Sequence, residues 1–121
     1  MSRILVADDS KIMRTKIYRV LTGEDHLVVQ AVDGEDALRT AKEQTDISLF
    51  LVDINMPNLD GMSLIKKLRA LPAYKDTPIF VLTTESSEHL QQEGKESGAT
   101  AWVVKPFDDE ALLSAIHEVI Q

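Results

Sequence analysis

The 121-residue chain contains no cysteine. That excludes a disulfide framework, a zinc–thiolate knuckle, an iron–sulfur cluster and a cysteine nucleophile, while zinc on histidines and carboxylates passes the same test. Glycine and proline are scarce, at 5 and 4. No linker, repeat or low-complexity tract divides the chain, so one domain over residues 1–121 with no output domain is the expectation. Positive charge is in deficit, with 13 Lys and Arg against 20 Asp and Glu and a net charge of −7. Binding to a phosphate backbone draws on Lys and Arg that displace counterions, so nucleic acid is not an expected partner. No apolar run nears the ~18 residues of a membrane span. The four apolar residues after Arg3 are too few for a signal-peptide core, which leaves a cytoplasmic monomer with no membrane partner as the expectation. A chain of this length buries roughly two-thirds of its unfolded surface. Its 44% of hydrophobic residues therefore suffice for a core without covalent staples.

Four runs are apolar at every position: Ile4–Ala7, Leu49–Val52, Ile79–Leu82 and Ala101–Val104. Each is of strand length, and continuous apolarity is what a parallel strand needs when helices cover both faces of its sheet. Leu27–Val29 reads as a shorter strand of the same kind. Between the runs the period becomes helical. Ser10 precedes a segment with Ile12, Met13, Ile17, Val20 and Leu21, and Gly34 opens one with Ala37, Leu38 and Ala41. A third helix is expected over Ser63–Ala70 and a fifth over Ala111–Ile120, capped by Asp108 or Asp109. The fourth, Ser86–Ser97, has Leu90 as its one large apolar residue and should be the least firmly anchored. Alternating strands and helices joined by right-handed crossovers give an α/β fold, a (βα)5 doubly wound parallel sheet in the flavodoxin-like order 2-1-3-4-5. In that order the chain leaves strands 1 and 3 toward opposite faces, and a crevice opens between their carboxyl ends.

The residues that follow the apolar runs carry the chemistry. Strand 1 ends in Asp8 and Asp9, strand 3 in Asp53, strand 4 in Thr83 and Thr84, and strand 5 in Lys105. A parallel sheet projects all of them from one edge. Carboxylates ~4 Å apart repel by about 4 kcal/mol at an effective dielectric constant near 20, so the cluster needs a cation or a proton. An all-oxygen set that leaves room for waters and a phosphate favours Mg²⁺, and Lys105 adds a second positive charge. Helix capping alone would explain Asp9 or Ser10, and a turn would explain Asp53. Four strand-end groups of complementary charge are better explained as one site. The histidines His26, His89 and His117 are too scattered along the chain to form a metal cluster.

The chain resembles a response-regulator receiver domain over essentially its whole length, and most closely the stand-alone chemotaxis kind. The motifs are Asp8-Asp9-Ser10, Val52-Asp53-Ile54-Asn55-Met56-Pro57 with Asp60-Gly61, then Thr83, and Lys105-Pro106-Phe107. The resemblance implies that Asp53 is a phospho-acceptor for a CheA-like sensor histidine kinase. Asp9, Asp53 and the main-chain carbonyl of Asn55 would then bind Mg²⁺, with Asp8 assisting, while Lys105 and Thr83 hold phosphoryl oxygens. It implies a cis Lys105–Pro106 bond, a switch formed by Thr83 and Trp102, and two positions, Asn55 and Glu85, that set the lifetime of the phosphoryl group. Tryptophan at 102 departs from the usual Tyr or Phe; the plain alternative is a half-exposed residue packed on the last helix. The surface read by partners would be Ser86–Ser97, strand 5 and the C-terminal helix, docking a downstream protein such as a flagellar switch, with a phosphatase as a further partner. Such a protein is a signalling switch rather than an enzyme, catalysing only its own phosphorylation and dephosphorylation.

Two other readings compete. A stand-alone phosphorelay intermediate would pass its phosphate to a histidine phosphotransfer protein. A magnesium-dependent phosphatase with an aspartyl nucleophile wants an acid two residues after that nucleophile, where this chain has Asn55, and a cap domain for which the chain has no room. A nucleotide or flavin module is disfavoured by acid, rather than glycine, after strand 1.

Overall fold

The structure is a computed structural model and describes residues 2–120. Five strands, β1 (Arg3–Ala7), β2 (Leu27–Ala31), β3 (Leu49–Val52), β4 (Ile79–Thr83) and β5 (Ala101–Val104), alternate with five helices. The helices are α1 (Lys11–Thr22), α2 (Gly34–Glu43), α3 (Gly61–Arg69), α4 (Glu88–Ser97) and α5 (Asp109–Val119). All pairings are parallel, and the sheet runs β2-β1-β3-β4-β5 as expected.

Successive side chains of the central strands serve two separate cores. Leu5, Phe50, Val52 and Val81 pack with Ala37, Leu64 and Ile65 on the α2–α3 face. Ile4, Leu49, Leu51 and Phe80 pack with Ile17, Leu21, Leu112 and Ile116 on the α1–α5 face. This is why the runs are apolar at every position. The edge strands differ from expectation. In β2 only Ala31 is buried, and in β5 no residue is, because an edge strand meets helices over less of its surface.

Each α-helix begins with a side-chain cap. Ser10, Asp33, Asp60, Ser87 and Asp108 each accept the backbone N–H of the residue three positions on. Such a cap typically contributes ~1 kcal/mol. Asp60 moves the start of α3 ahead of Ser63, to Gly61. In α4 only Gly94 is buried, with Leu90 partly so, which fits its weak anchoring.

Candidate functional site at the carboxyl edge of the sheet

Strand register builds the site. Ala7 of β1 stands opposite Val52 of β3, and the ladder continues one step past both, with the Asp53 amide donating to the Ala7 carbonyl at 2.9 Å. On the other flank the Asp8 amide donates to the Ala31 carbonyl at 3.2 Å. The residues that follow Ala7 and Val52 therefore lie one interstrand spacing apart, ~4.8 Å. Asp8, Asp9 and Asp53 each offer a carboxylate oxygen within 4.8 Å of the others. Asp8 is buried, Asp53 half-buried and Asp9 exposed.

Lys105 arrives from β5, its amide donating to the Thr83 carbonyl at 2.7 Å, and its bond to Pro106 is cis. Its Nζ lies 2.7 Å from Asp8 Oδ2 and 3.4 Å from Asp53 Oδ2, with 10% of its side chain exposed. Asp8 Oδ1 accepts the Ser10 amide at 2.9 Å, and Asp53 Oδ1 accepts the Ile54 amide at 2.7 Å. Burial pushes the Asp53 carboxyl above its ordinary range, Lys105 pulls it down, and the neighbouring Asp8 pushes it up again. One ammonium thus serves two of three crowded acids. The donors are all oxygen, and three carboxylates meet a single lysine, so the residues present fit a hard divalent cation better than a soft one.

The loop after β3 is pinned from behind. Ile54 and Met56 are buried, and Gly61 donates its amide to the Ile54 carbonyl at 2.9 Å. A Cβ on Gly61 would lie 2.3 Å from the Asp53 carbonyl oxygen, so the first turn of α3 can seat against the acid's backbone only with glycine there. Arg14 of α1 donates to the Asp8 carbonyl at 2.6 Å. Nothing in the sequence singles out Arg14 among the basic residues of its helix, and the Asp60-Gly61 pair stood out only as a motif of the resemblance, with the helix expected from Ser63.

The remaining candidates converge on Glu85. Thr83 is fully buried at the tip of β4, and its hydroxyl oxygen accepts the Glu85 amide at 3.3 Å. Asn55 Nδ2 donates to Glu85 Oε1 at 3.2 Å, and Trp102 Nε1 donates to the Glu85 carbonyl at 2.9 Å. Trp102 is half-buried and lies against α4, not the last helix: a Cβ on Gly94 would come within 2.8 Å of its Cζ3. The pair named for lifetime and the pair named for switching thus share one loop residue, a link that sequence spacing does not reveal. Two of the histidines, distant along the chain, also meet in space. His26 Nε2 and His117 Nε2, 91 positions apart, stand 3.2 Å from each other.

A doubly wound sheet of order 2-1-3-4-5 with an acid and lysine pocket where β1 and β3 diverge defines a CheY-like domain. Residues 4–117 match the response regulator receiver domain, and the chain belongs to that family, the receivers of two-component signalling. It is 34% identical to a chemotaxis protein CheY homolog of Campylobacter jejuni, over 98% of this chain and 92% of the relative. Vibrio cholerae chemotaxis protein CheY4 superposes with a TM-score of 0.93 at 39% identity, covering 98% of each chain. The receiver domain of the Pseudomonas aeruginosa sensor histidine kinase PA1611, solved with a magnesium ion coordinated in its active site cleft, superposes at 0.91 with 27% identity, covering 98% of this chain and 97% of that one. Among the described residues no helix is long and apolar enough to cross a membrane.

Proposed function

We propose that this receiver accepts a phosphoryl group on Asp53 from a phosphohistidine of a sensor kinase and relays the event through its α4-β5-α5 surface. An Asp53 carboxylate oxygen attacks phosphorus, the O–P bond forms as the N–P bond breaks, and the departing imidazole takes a proton from solvent. Lys105 exchanges its contact with Asp53 for a phosphoryl oxygen, and the Thr83 hydroxyl donates to another. Mg²⁺ would be held by Asp8, Asp9, Asp53 and the main-chain carbonyl of Asn55, and when bound it supplies neutralisation of the charge on the transferring group. The transition state of such a transfer is loose and its charge spread out, so positioning and neutralisation suffice without a general base. The domain acts on itself rather than turning over a substrate. The observation that carries this reading is the lysine Nζ set 2.7 Å and 3.4 Å from two carboxylates whose third neighbour lies within 4.8 Å.

Mass spectrometry after incubation with acetyl phosphate and Mg²⁺ tests it. The wild type gains one phosphoryl group; Asp53→Asn gains none. A wild type inert to the donor, or a variant still modified, overturns the assignment.

When Thr83 turns to the phosphoryl group it releases the Glu85 amide, and the Trp102 indole held by the Glu85 carbonyl shifts with that loop. The full-length similarity to chemotaxis regulators favours a motility output, with a flagellar switch protein as the docking partner. A pull-down with and without beryllofluoride, an acyl-phosphate mimic, checks this. Capture of a flagellar protein enhanced by the mimic is the expected outcome, and phosphate transfer to a histidine phosphotransfer protein would mark a relay instead.

A further inference from the structure

The carboxyl edge of the sheet holds the acids, and the opposite, amino edge holds the histidine pair. His26 closes the turn between α1 and β2, while His117 lies in the last turn of α5. The two rings are tilted by 48° with centroids 5.4 Å apart, so they meet at their tips rather than stacking. Their Nε2 atoms are 3.2 Å apart. Two imidazole nitrogens bound tetrahedrally to one zinc ion at ~2.0–2.1 Å stand about 3.3–3.4 Å from each other, so the rings already have nearly the spacing of a shared ligand pair. The Nδ1 atom of His26 is buried with no hydrogen-bond partner, which leaves Nε2 as that ring's one outlet for polar interaction. Burial, and then His117, hold the His26 imidazole below its ordinary pKa, against the smaller upward pull of Glu24 and Asp25. Glu24 lines one groove together with His117, Ser114 and Glu118 and is close enough for its charge to act on His26.

We propose that His26 and His117 form a second metal site, for a borderline transition-metal ion such as Zn²⁺, that clasps the α1–β2 turn to the end of α5. Water completes the coordination. Ligand softness separates the two ends of the sheet: a hard ion takes the all-oxygen pocket, and imidazole nitrogens take a softer one. Metal at Nε2 leaves the His26 proton on Nδ1, a buried donor without an acceptor, so the affinity falls short of that of a closed structural zinc site. The clasp closes on α5, and the ion therefore bears on one side of the α4-β5-α5 surface.

The test is calorimetric titration of the untagged full chain with Zn²⁺ under saturating Mg²⁺, which occupies the acidic pocket, with histidine ring resonances followed by NMR. One ion per chain is expected, with the rings of His26 and His117 shifting and that of His89 unmoved. His26→Gln and His117→Gln should each abolish the event, and His89→Gln should leave it intact. Acetyl-phosphate labelling of Asp53 in each variant shows that the fold survives, and it reads out the acidic pocket independently of zinc. Absence of binding, binding retained in both His26→Gln and His117→Gln, or one ion per two chains would overturn the site.

Discussion

At the scale of single residues, the acidic pocket contains charges whose removal acts in opposite directions. Lys105 neutralises the buried Asp8 at 2.7 Å. Removing one partner of a buried pair strands the other, at about 3 kcal/mol. Lys105→Ala should therefore lose about that much in urea unfolding, and adding Asp8→Asn should restore most of it. Asp53 carries charge that burial and Asp8 oppose. Asp53→Asn should raise the melting temperature of the metal-free protein by about 3 °C while abolishing phosphorylation. Outside the site, Asp33 caps α2, accepting the Asp36 amide at 2.8 Å and the Asn58 amide at 2.6 Å. The Asp36 amide, and then Asn58, hold its carboxyl below the usual range. Its contribution is therefore present above the unfolded-state pKa and is lost as pH falls through the lower folded value. Asp33→Ala should cost about 1 kcal/mol at pH 7, and that difference should shrink steadily below about pH 4 in urea titrations.

Among the elements, α4 has the fewest buried residues of the five α-helices, and β5 is an edge strand with none. A helix with one buried residue, a glycine, opens at low free energy, and its amides should exchange with solvent faster than those of α3, which buries Met62, Leu64, Ile65 and Leu68. Gly94→Ala would place a methyl 2.8 Å from the Trp102 ring. The indole must then swing outward and give up its bond to the Glu85 carbonyl. The chain has a single tryptophan, so its emission should shift to the red in Gly94→Ala, and its response to beryllofluoride should be blunted. At this scale the sequence was informative wherever one force dominated. Leu49–Val52 announced a strand covered on both faces, and Ser10 and Asp108 announced helix starts. The exposed edges of β2 and β5 were not legible, because Leu27–Val29 and Ala101–Val104 are as apolar as the central runs and only the strand order sets which are covered. The contact of Trp102 with α4 depended on the missing side chain at Gly94, an absence that reads in sequence as a weak helix rather than a seat for an indole.

For the molecule as a whole, crowded acids leave the metal-free state short of its attainable stability, which a hard cation in the pocket would restore. At ten times its dissociation constant, Mg²⁺ should add about 1.4 kcal/mol to the unfolding free energy of the wild type. Thermal melts of Asp53→Asn should respond less. The acids and Lys105 were readable from sequence because each directly follows a strand, and parallel strands deliver their ends to one edge. The hub at Glu85 and the meeting of His26 with His117 were not, since both depend on where loops and helix ends return after the sheet has formed.

The pairing of Ala7 with Val52 sets how this domain tolerates change. Successive strand residues point to opposite sides, so one residue inserted into or deleted from β1 or β3 would turn an acid away from its partners, however conservative the inserted residue. A scan of insertions and deletions should therefore find those two strands far less permissive than the exposed face of α4, where length changes leave the pocket's spacing untouched. Lineages of this domain would be expected to diverge by substitution on their helices while keeping the count of residues along these strands fixed.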